Sequence, residues 1–211
     1  MFQLIVQTAD TLRNRFNIDI RVNSEVTHID RENKIISVNH NSQLEKLHYD
    51  KLILSLGAKP IIPHITGMDT QPNIFQLRNI PDLDQIMANI SSDTKHVTVI
   101  GAGFIGMEVT ENLVKRGISV SLVERSNHIL PSLDIEMARF IENELRKNFV
   151  NICTNSTVIK IDNKMLYLNT GKSFATDAII MAAGVHPSSE IAVSAGIKID
   201  DNGGIMVDHR R

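Results

Sequence analysis

Residues 97–124 read VTVIGAGFIGMEVTENLVKRGISVSLVE, and this stretch decides the fold. A short β-branched run (Val97, Val99, Ile100) meets Gly101-Ala102-Gly103-Phe104-Ile105-Gly106. A helical pattern follows, with Ile105, Val109 and Leu113 at four-residue spacing and expected to face a sheet. Gly117 is a natural helix stop. A second apolar run (Val120, Leu122, Val123) ends in Glu124, eighteen residues after Gly106. Strand, glycine turn, helix, strand and acid, in that order, is what a dinucleotide-binding unit requires.

The chemistry explains the pattern. Gly101 permits the sharp turn, Gly103 leaves the backbone open to a pyrophosphate, and Gly106 lets the helix lie close to the sheet. The helix N-terminus offers free N–H groups and partial positive charge to phosphates. A carboxylate at Glu124 can accept hydrogen bonds from the adenosine ribose hydroxyls, which favours NADH. Arg125 beside it can partly offset that preference toward NADPH. A glycine turn that merely packs would account for the bend but not for the acid.

Working outward, 211 residues allow one large or two small domains. A hydrophobic content of 42% and a charged content of 22% fit a globular protein. The net charge of −2 gives no reason to expect a nucleic-acid partner. Apolar runs are too short to span a membrane, and the N-terminus does not read as a secretory signal. One cysteine cannot form an internal disulfide, so a cytoplasmic setting is expected. The eight histidines show no metal-ligand spacing.

In chain order, 1–17 reads as a helix with Ile5, Ala9, Leu12 and Phe16 on one face. Runs at 18–22, 25–30, 34–38 and 44–49 read as strands of an antiparallel meander, and Leu52 to Leu54 as a compact buried strand. The proline-containing segment from Pro60 to Pro72 reads as an extended crossing. A helix is expected over 80–90, with Leu83, Ile86, Met87 and Ile90 on one side. The segment Ser91 to Thr94 marks the best boundary. Asp134 can cap a helix to about Asn148, with Met137, Ile141 and Leu145 inward. Strands are expected at 150–153, 157–161, 165–168 and 177–181, then a short helix at 190–195 and runs at 197–199 and 205–207. The fold class is therefore α/β.

Three stretches together resemble the pyridine nucleotide–disulfide oxidoreductases. They are Tyr49-Asp-Lys-Leu-Ile-Leu-Ser-Leu-Gly-Ala-Lys-Pro60, the glycine unit, and Ala182-Ala-Gly-Val-His-Pro187 leading to Gly203-Gly-Ile-Met-Val-Asp208. Phe75 to Asp84 is most similar to the CoA-disulfide reductase and NADH oxidase branch. The resemblance implies a Rossmann-like, three-layer FAD/NAD(P)-binding fold, with an NAD(P) domain at 94–184 inserted in an FAD domain. Residues 1–93 and 185–211 would be parts of that FAD domain.

It also implies hydride transfer from NAD(P)H to FAD and onward to CoA disulfide or a related acceptor, in a homodimer. The family's opening FAD glycine motif, its redox cysteine and its C-terminal dimerisation domain have no counterpart here. The redox cysteine is accordingly expected upstream of Met1, and no catalytic residue is assigned within the chain. The chain therefore reads as an internal piece that binds the nicotinamide nucleotide, carries little or no FAD and has no disulfide reductase turnover. Implied NAD(P) residues are Gly101, Ala102, Gly103, Phe104, Ile105, Gly106, Glu108, Glu124, Arg125 and Gly184. Implied FAD residues are Val26, Ser55, Gly57, Ala58 and Arg78, and Arg21 is a candidate for CoA phosphates. Cys153 is rejected as a nucleophile, because no cationic neighbour would lower its pKa and small cysteines are commonly packed in cores. The alternatives are a ferredoxin- or nitrite-reductase-type flavoprotein fragment and a non-catalytic nucleotide-binding module.

Overall fold

Strands whose two faces are both apolar need cover on both sides, and the runs around the glycine turn find it in three layers. The computed structural model describes residues 7–209. Its elements in chain order are α1 (Ala9–Phe16), β1 (Ser24–Asp30), β2 (Ile35–His40), β3 (Gln43–His48), β4 (Ala58–Pro60), β5 (Ile74–Gln76), α2 (Ile80–Asn89), β6 (His96–Ile100) and α3 (Phe104–Lys115). There follow β7 (Ser119–Val123), α4 (Ile135–Lys147), β8 (Asn151–Cys153), β9 (Val158–Asp162), β10 (Met165–Leu168), β11 (Ser173–Ala175), β12 (Ala178–Met181), β13 (Val185–Pro187) and α5 (Glu190–Ser194). By contact density the chain divides into 60–185 and a second unit drawn from 1–59 and 186–211.

In the 60–185 unit a parallel sheet runs in the order β5-β12-β6-β7-β8. Alternation along each strand assigns side chains to two cores. Val97, Val99, Val120, Leu122, Ile152 and Ile180 pack with α2, α3 and α4 on one face. Ile100, Val123, Cys153, Ile179 and Met181 pack on the other, against Val158, Ile161, Leu166 and Leu168 of the β9-β10-β11 meander. Helices, parallel sheet and antiparallel meander make the three layers.

The carboxylate of Asp177 ties the N-terminal end of β6. One oxygen accepts the N–H groups of Lys95 at 2.9 Å and His96 at 3.1 Å, and the other accepts the Lys164 ammonium at 3.2 Å. The Lys95 N–H bond, with the His96 bond and the nearby Lys164, holds this carboxyl below the usual range even though partial burial opposes the shift. A depressed folded-state pKa contributes stability above the unfolded value of about 3.9, and that contribution is lost as pH falls through the folded value. Asp177→Ala should cost about 1–2 kcal/mol in chemical denaturation at pH 7. Asp177→Asn keeps a carbonyl for the two N–H groups, so it should cost less and remove this acid-sensitive component below about pH 4.

In the other unit, β1-β2-β3 form the expected meander. Helix α1 begins at an N-cap Thr8 that accepts from Thr11 N–H and ends at Asn17 in the left-handed region. The start of the expected first helix, from Met1 through Val6, lies outside the described residues.

Several expectations are corrected. Residues 18–22 form no strand. Leu52 to Leu54 is also not a strand, and Ile53 is 90% exposed. An apolar parallel strand needs a neighbour to pair with, and none lies beside it among the described residues. Residues 197–199 and 205–207 meet only through a single bridge, Ile199 to Ile205. By contacts, residues 60–93 group with the segment that follows them, because β5 pairs with β12 and Ile86 and Ile90 of the α2 region enter the helix-side core. Met87 is exposed, and its sulfur accepts from Arg116. On α4, Met137 is 59% exposed and Ile141 is also exposed, whereas Ala138 is fully buried. The small residue lets this helix approach the sheet, so the inward face is rotated from the one expected. Ile105 is 47% exposed, because Gly106 takes the inward position on the first turn of α3.

Candidate functional site

The site is built on the C-terminal ends of the parallel strands. Strands β6, β7 and β8 run outward in one direction, while β12 lies on the other side of β6. Connections therefore diverge at β6, the place where open parallel sheets leave a crevice. Loops there are tied by backbone bonds: Gly101 N–H to Val123 O, Glu124 N–H to Cys153 O, Ala182 N–H to Ile100 O and Leu130 N–H to Ala102 O, all between 2.7 and 2.8 Å. They enclose a cleft of about 530 Å³, lined by Gly101, Gly103, Glu124, Arg125, Pro131 and Gly184 among others. That volume falls in the range of small-molecule sites.

The three glycines of the turn meet different constraints. Gly101 has φ +101°, and a Cβ there would lie 2.2 Å from Ala182 O. At Gly106 a Cβ would lie 2.0 Å from Gly101 O, so α3 begins almost in contact with the turn. At Gly103 a Cβ would meet nothing within 4 Å. Gly103 is also the N-cap of α3, with no side-chain cap bond. The first-turn N–H groups of α3 therefore have no capping side chain at the cleft edge, where the helix dipole is positive. Neither folding nor packing requires glycine at 103, but a ligand passing over the backbone would.

Glu124 is 8% exposed. Its Oε2 accepts from Ala102 N–H at 2.8 Å and its Oε1 from Ser126 N–H at 2.7 Å. The carboxylate thus clamps the glycine turn to the loop after β7. An ionised carboxylate has about four acceptor positions, so two remain for further donors in the cleft that it lines. Gly184, at φ +101°, accepts from Ile61 N–H at 2.9 Å on the far wall.

Of the ten residues assigned to a nicotinamide nucleotide, Gly101, Gly103, Glu124, Arg125 and Gly184 line this cleft. Ala102 and Gly106 are buried beneath it, and Phe104 and Ile105 are exposed at the start of α3. Glu108 is exposed and sits on the second turn of α3, not the first. Sequence reasoning missed Ser126, Ser156, Thr157 and Val158, which also line the cleft. Ser126 was within reach as the next residue but one after the acid, whereas 156–158 open the meander with no motif of their own.

Among the FAD candidates, Val26 lies on β1, Ser55 and Gly57 in the loop before β4, and Ala58 at its start. Arg78 belongs to the 60–185 unit, and its backbone N–H donates to Asp82 in the cap of α2. The Arg21 guanidinium already donates to Asp19 and Glu45, at 2.8 Å each. The Asp19 hydrogen bond leads in raising its pKa. Cys153 is 6% exposed in the meander-side core, with a free thiol. Met1, beyond which the redox cysteine is expected, lies outside the described residues. Among the described residues no group of His, Cys, Asp and Glu could hold a metal ion, and no helix is long and apolar enough to cross a membrane.

Comparison with known proteins decides the family. Residues 5–211 match the model for pyridine nucleotide-disulphide oxidoreductase. The chain belongs to this family. An NADH oxidase of Methanocaldococcus jannaschii is 36% identical over 203 residues, covering 93% of this chain and 45% of that protein. A coenzyme A disulfide reductase of Staphylococcus haemolyticus is 32% identical over 206 residues, covering 96% and 46% respectively. The chain thus spans less than half the length of these relatives. Among solved structures, reduced Bacillus anthracis CoADR-RHD superposes with a TM-score of 0.92 at 40% identity, covering 96% of this chain and 37% of that one. An engineered water-forming NADPH oxidase bound to NADPH superposes with a TM-score of 0.88 at 25% identity, covering 98% of this chain and 46% of that one. The fold is the FAD/NAD(P)-binding architecture of these oxidoreductases. FAD and a nicotinamide nucleotide are the family's cofactors.

Proposed function

We propose that the cleft of the 60–185 unit holds the adenosine diphosphate half of a nicotinamide nucleotide. The proposal extends to the intact protein, where that nucleotide would reduce a flavin and, through it, CoA disulfide or a related acceptor. The observation that carries the reading is Gly103. Its missing side chain leaves open space at a helix N-terminus, in the same cleft as a nearly buried acid. The residues fit the group. The pyrophosphate would cross the Gly103 backbone toward the free N–H groups of α3. The Glu124 carboxylate would accept from the ribose through its two remaining positions while its tie to Ala102 holds the turn in shape. Gly184 would leave the opposite wall low enough for the rest of the nucleotide.

The nicotinamide supplies the hydride, and the chemistry of transfer is the cofactor's own. This chain binds the nucleotide, orients it and excludes water from one side of it. The FAD residues, Val26, Ser55, Gly57, Ala58 and Arg78, remain proposals at the level of the intact protein, as do its redox cysteine upstream of Met1 and its dimeric state.

The substitutions of the engineered NADPH oxidase support the placement. In order they alter a glycine, an aspartate eighteen residues later, the two residues directly after it, and a proline five residues beyond. At the same spacing this chain carries Gly106, Glu124, Arg125, Ser126 and Pro131.

The test is a calorimetric titration of the purified chain with NADH and with FAD. One NADH should bind per chain with a Kd in the micromolar to submillimolar range, and the chain as isolated should be colourless and show no CoA disulfide reduction. A chain that purifies yellow and turns over CoA disulfide would overturn the division of labour proposed here. Absence of NADH binding would overturn the site.

A further inference from the structure

Among the described residues, ten other than glycine have a positive φ, and all but Leu130 are exposed. Leu130, at φ +48°, is 3% exposed in the loop between β7 and α4. Left-handed backbone is unfavourable for leucine and is ordinarily left to glycine or asparagine. Leu130 also precedes Pro131, and the residue before a proline is driven toward extended conformations. Backbone of this kind persists only where its surroundings over-determine it, and it clusters at ligand clamps.

The bonds of Leu130 show what the conformation achieves. Its N–H donates to Ala102 O at 2.7 Å, and its carbonyl accepts Leu133 N–H at 2.9 Å, closing a turn with Pro131 in the second position. Pro131 lines the cleft. Ala102 is fully buried, and its N–H is taken by Glu124. Glu124 therefore holds the peptide that precedes Ala102, and Leu130 holds the peptide that follows it. That second peptide joins the Ala102 carbonyl to the Gly103 N–H. In a planar trans peptide these two groups point to opposite sides, so holding the carbonyl aims the N–H.

We propose that Leu130 is a positioning residue for the nucleotide: its left-handed backbone fixes the Ala102–Gly103 peptide so that the Gly103 N–H is already presented to the pyrophosphate before the nucleotide arrives. The inference rests on the nucleotide site proposed above and deepens it. Leu130 acts through Ala102 and need not touch the ligand. Fixing the peptide in advance removes an ordering cost from binding.

The experiment compares the wild-type chain with Leu130→Ile and Leu130→Gly, by calorimetric titration with NADH, chemical denaturation, and amide hydrogen exchange at position 130 without nucleotide. Leu130→Ile keeps the buried volume, but its β-branch opposes a positive φ. Leu130→Gly loses the side chain and leaves the backbone at ease. The wild-type amide should be protected in the absence of nucleotide. In Leu130→Ile it should exchange at least tenfold faster, and NADH binding should weaken at least tenfold. Leu130→Gly should be the less stable of the two variants and yet bind NADH at least threefold more tightly than Leu130→Ile. A leucine that serves packing alone would make affinity follow stability. Weaker binding by Leu130→Gly than by Leu130→Ile, or wild-type affinity in Leu130→Ile, therefore overturns the proposal. Should Leu130→Gly not fold, Leu130→Ile against the wild type decides alone. If the wild type binds no NADH, the nucleotide site itself fails and this proposal falls with it.

Discussion

Gly103→Asp should leave the protein as stable as the wild type, or slightly more so, while weakening NADH binding at least a hundredfold. The backbone at 103 has φ −75° and ψ −174°, an extended conformation open to any residue. A Cβ there meets nothing within 4 Å. Aspartate is a better N-cap than glycine, by a few tenths of a kcal/mol. The same carboxylate, however, would sit at the cleft edge and compete for the N–H groups proposed to hold the pyrophosphate, with a like charge opposed to it. A hundredfold loss corresponds to about 2.7 kcal/mol. Gly103→Asn, with similar capping and no charge, should lose less.

The contrasting variant is Gly101→Ala. With φ +101° and Ala182 O 2.2 Å from the added carbon, it should destabilise the fold by about 3 kcal/mol or more. Equilibrium denaturation and calorimetry on the pair separate a glycine needed by the chain from one needed by a ligand. Equal destabilisation by both variants would contradict the assignment.

Glu124→Ala should reduce both stability and binding. Removing the carboxylate leaves the Ala102 N–H without an acceptor in a buried turn and frees the Ser126 N–H. Hydrogen bonds to a charged group contribute about 1.5–3 kcal/mol each, with partial compensation by water at Ser126, so a loss of about 2–4 kcal/mol is expected. NADH affinity should fall at least tenfold, because the turn loosens and the ribose loses its acceptor. Glu124→Gln keeps one carbonyl oxygen and should retain part of both properties. A Glu124→Ala protein with unchanged melting temperature and unchanged Kd would remove the clamp from the account.

The turn was legible in the sequence because its chemistry is local. Glycine spacing, a helix pattern and an acid eighteen residues on need no knowledge of distant contacts. What escaped was whatever depends on partners far along the chain. Strand β5 has three residues, too short for periodicity to register, and exists because β12, over a hundred residues later, offers an edge. Ser156 to Val158 join the cleft only because the meander folds over the sheet ends. The inward face of α4 was misjudged because apolar Met137 and Ile141 look like core, and only packing reveals that Ala138 sits closest to the sheet. The apolar run Leu52 to Leu54 shows the converse, since its composition suits a buried strand but pairing decides.

The Glu124 clamp had a different kind of invisibility. The acid was expected to serve a ligand, and its second role, accepting from Ala102 and Ser126, belongs to the geometry of the loop.

The most direct test of the central claim is an amide-resolved NMR titration of the ¹⁵N-labelled chain with NADH. The largest shifts should fall on the N–H groups of Gly103, Phe104 and Ile105, with a second set at Arg125 and Ser126, and the β1-β2-β3 meander should stay unmoved. Shifts that avoid 101–106 and 124–126 while NADH binds elsewhere would contradict the claim that the nucleotide rests on this turn.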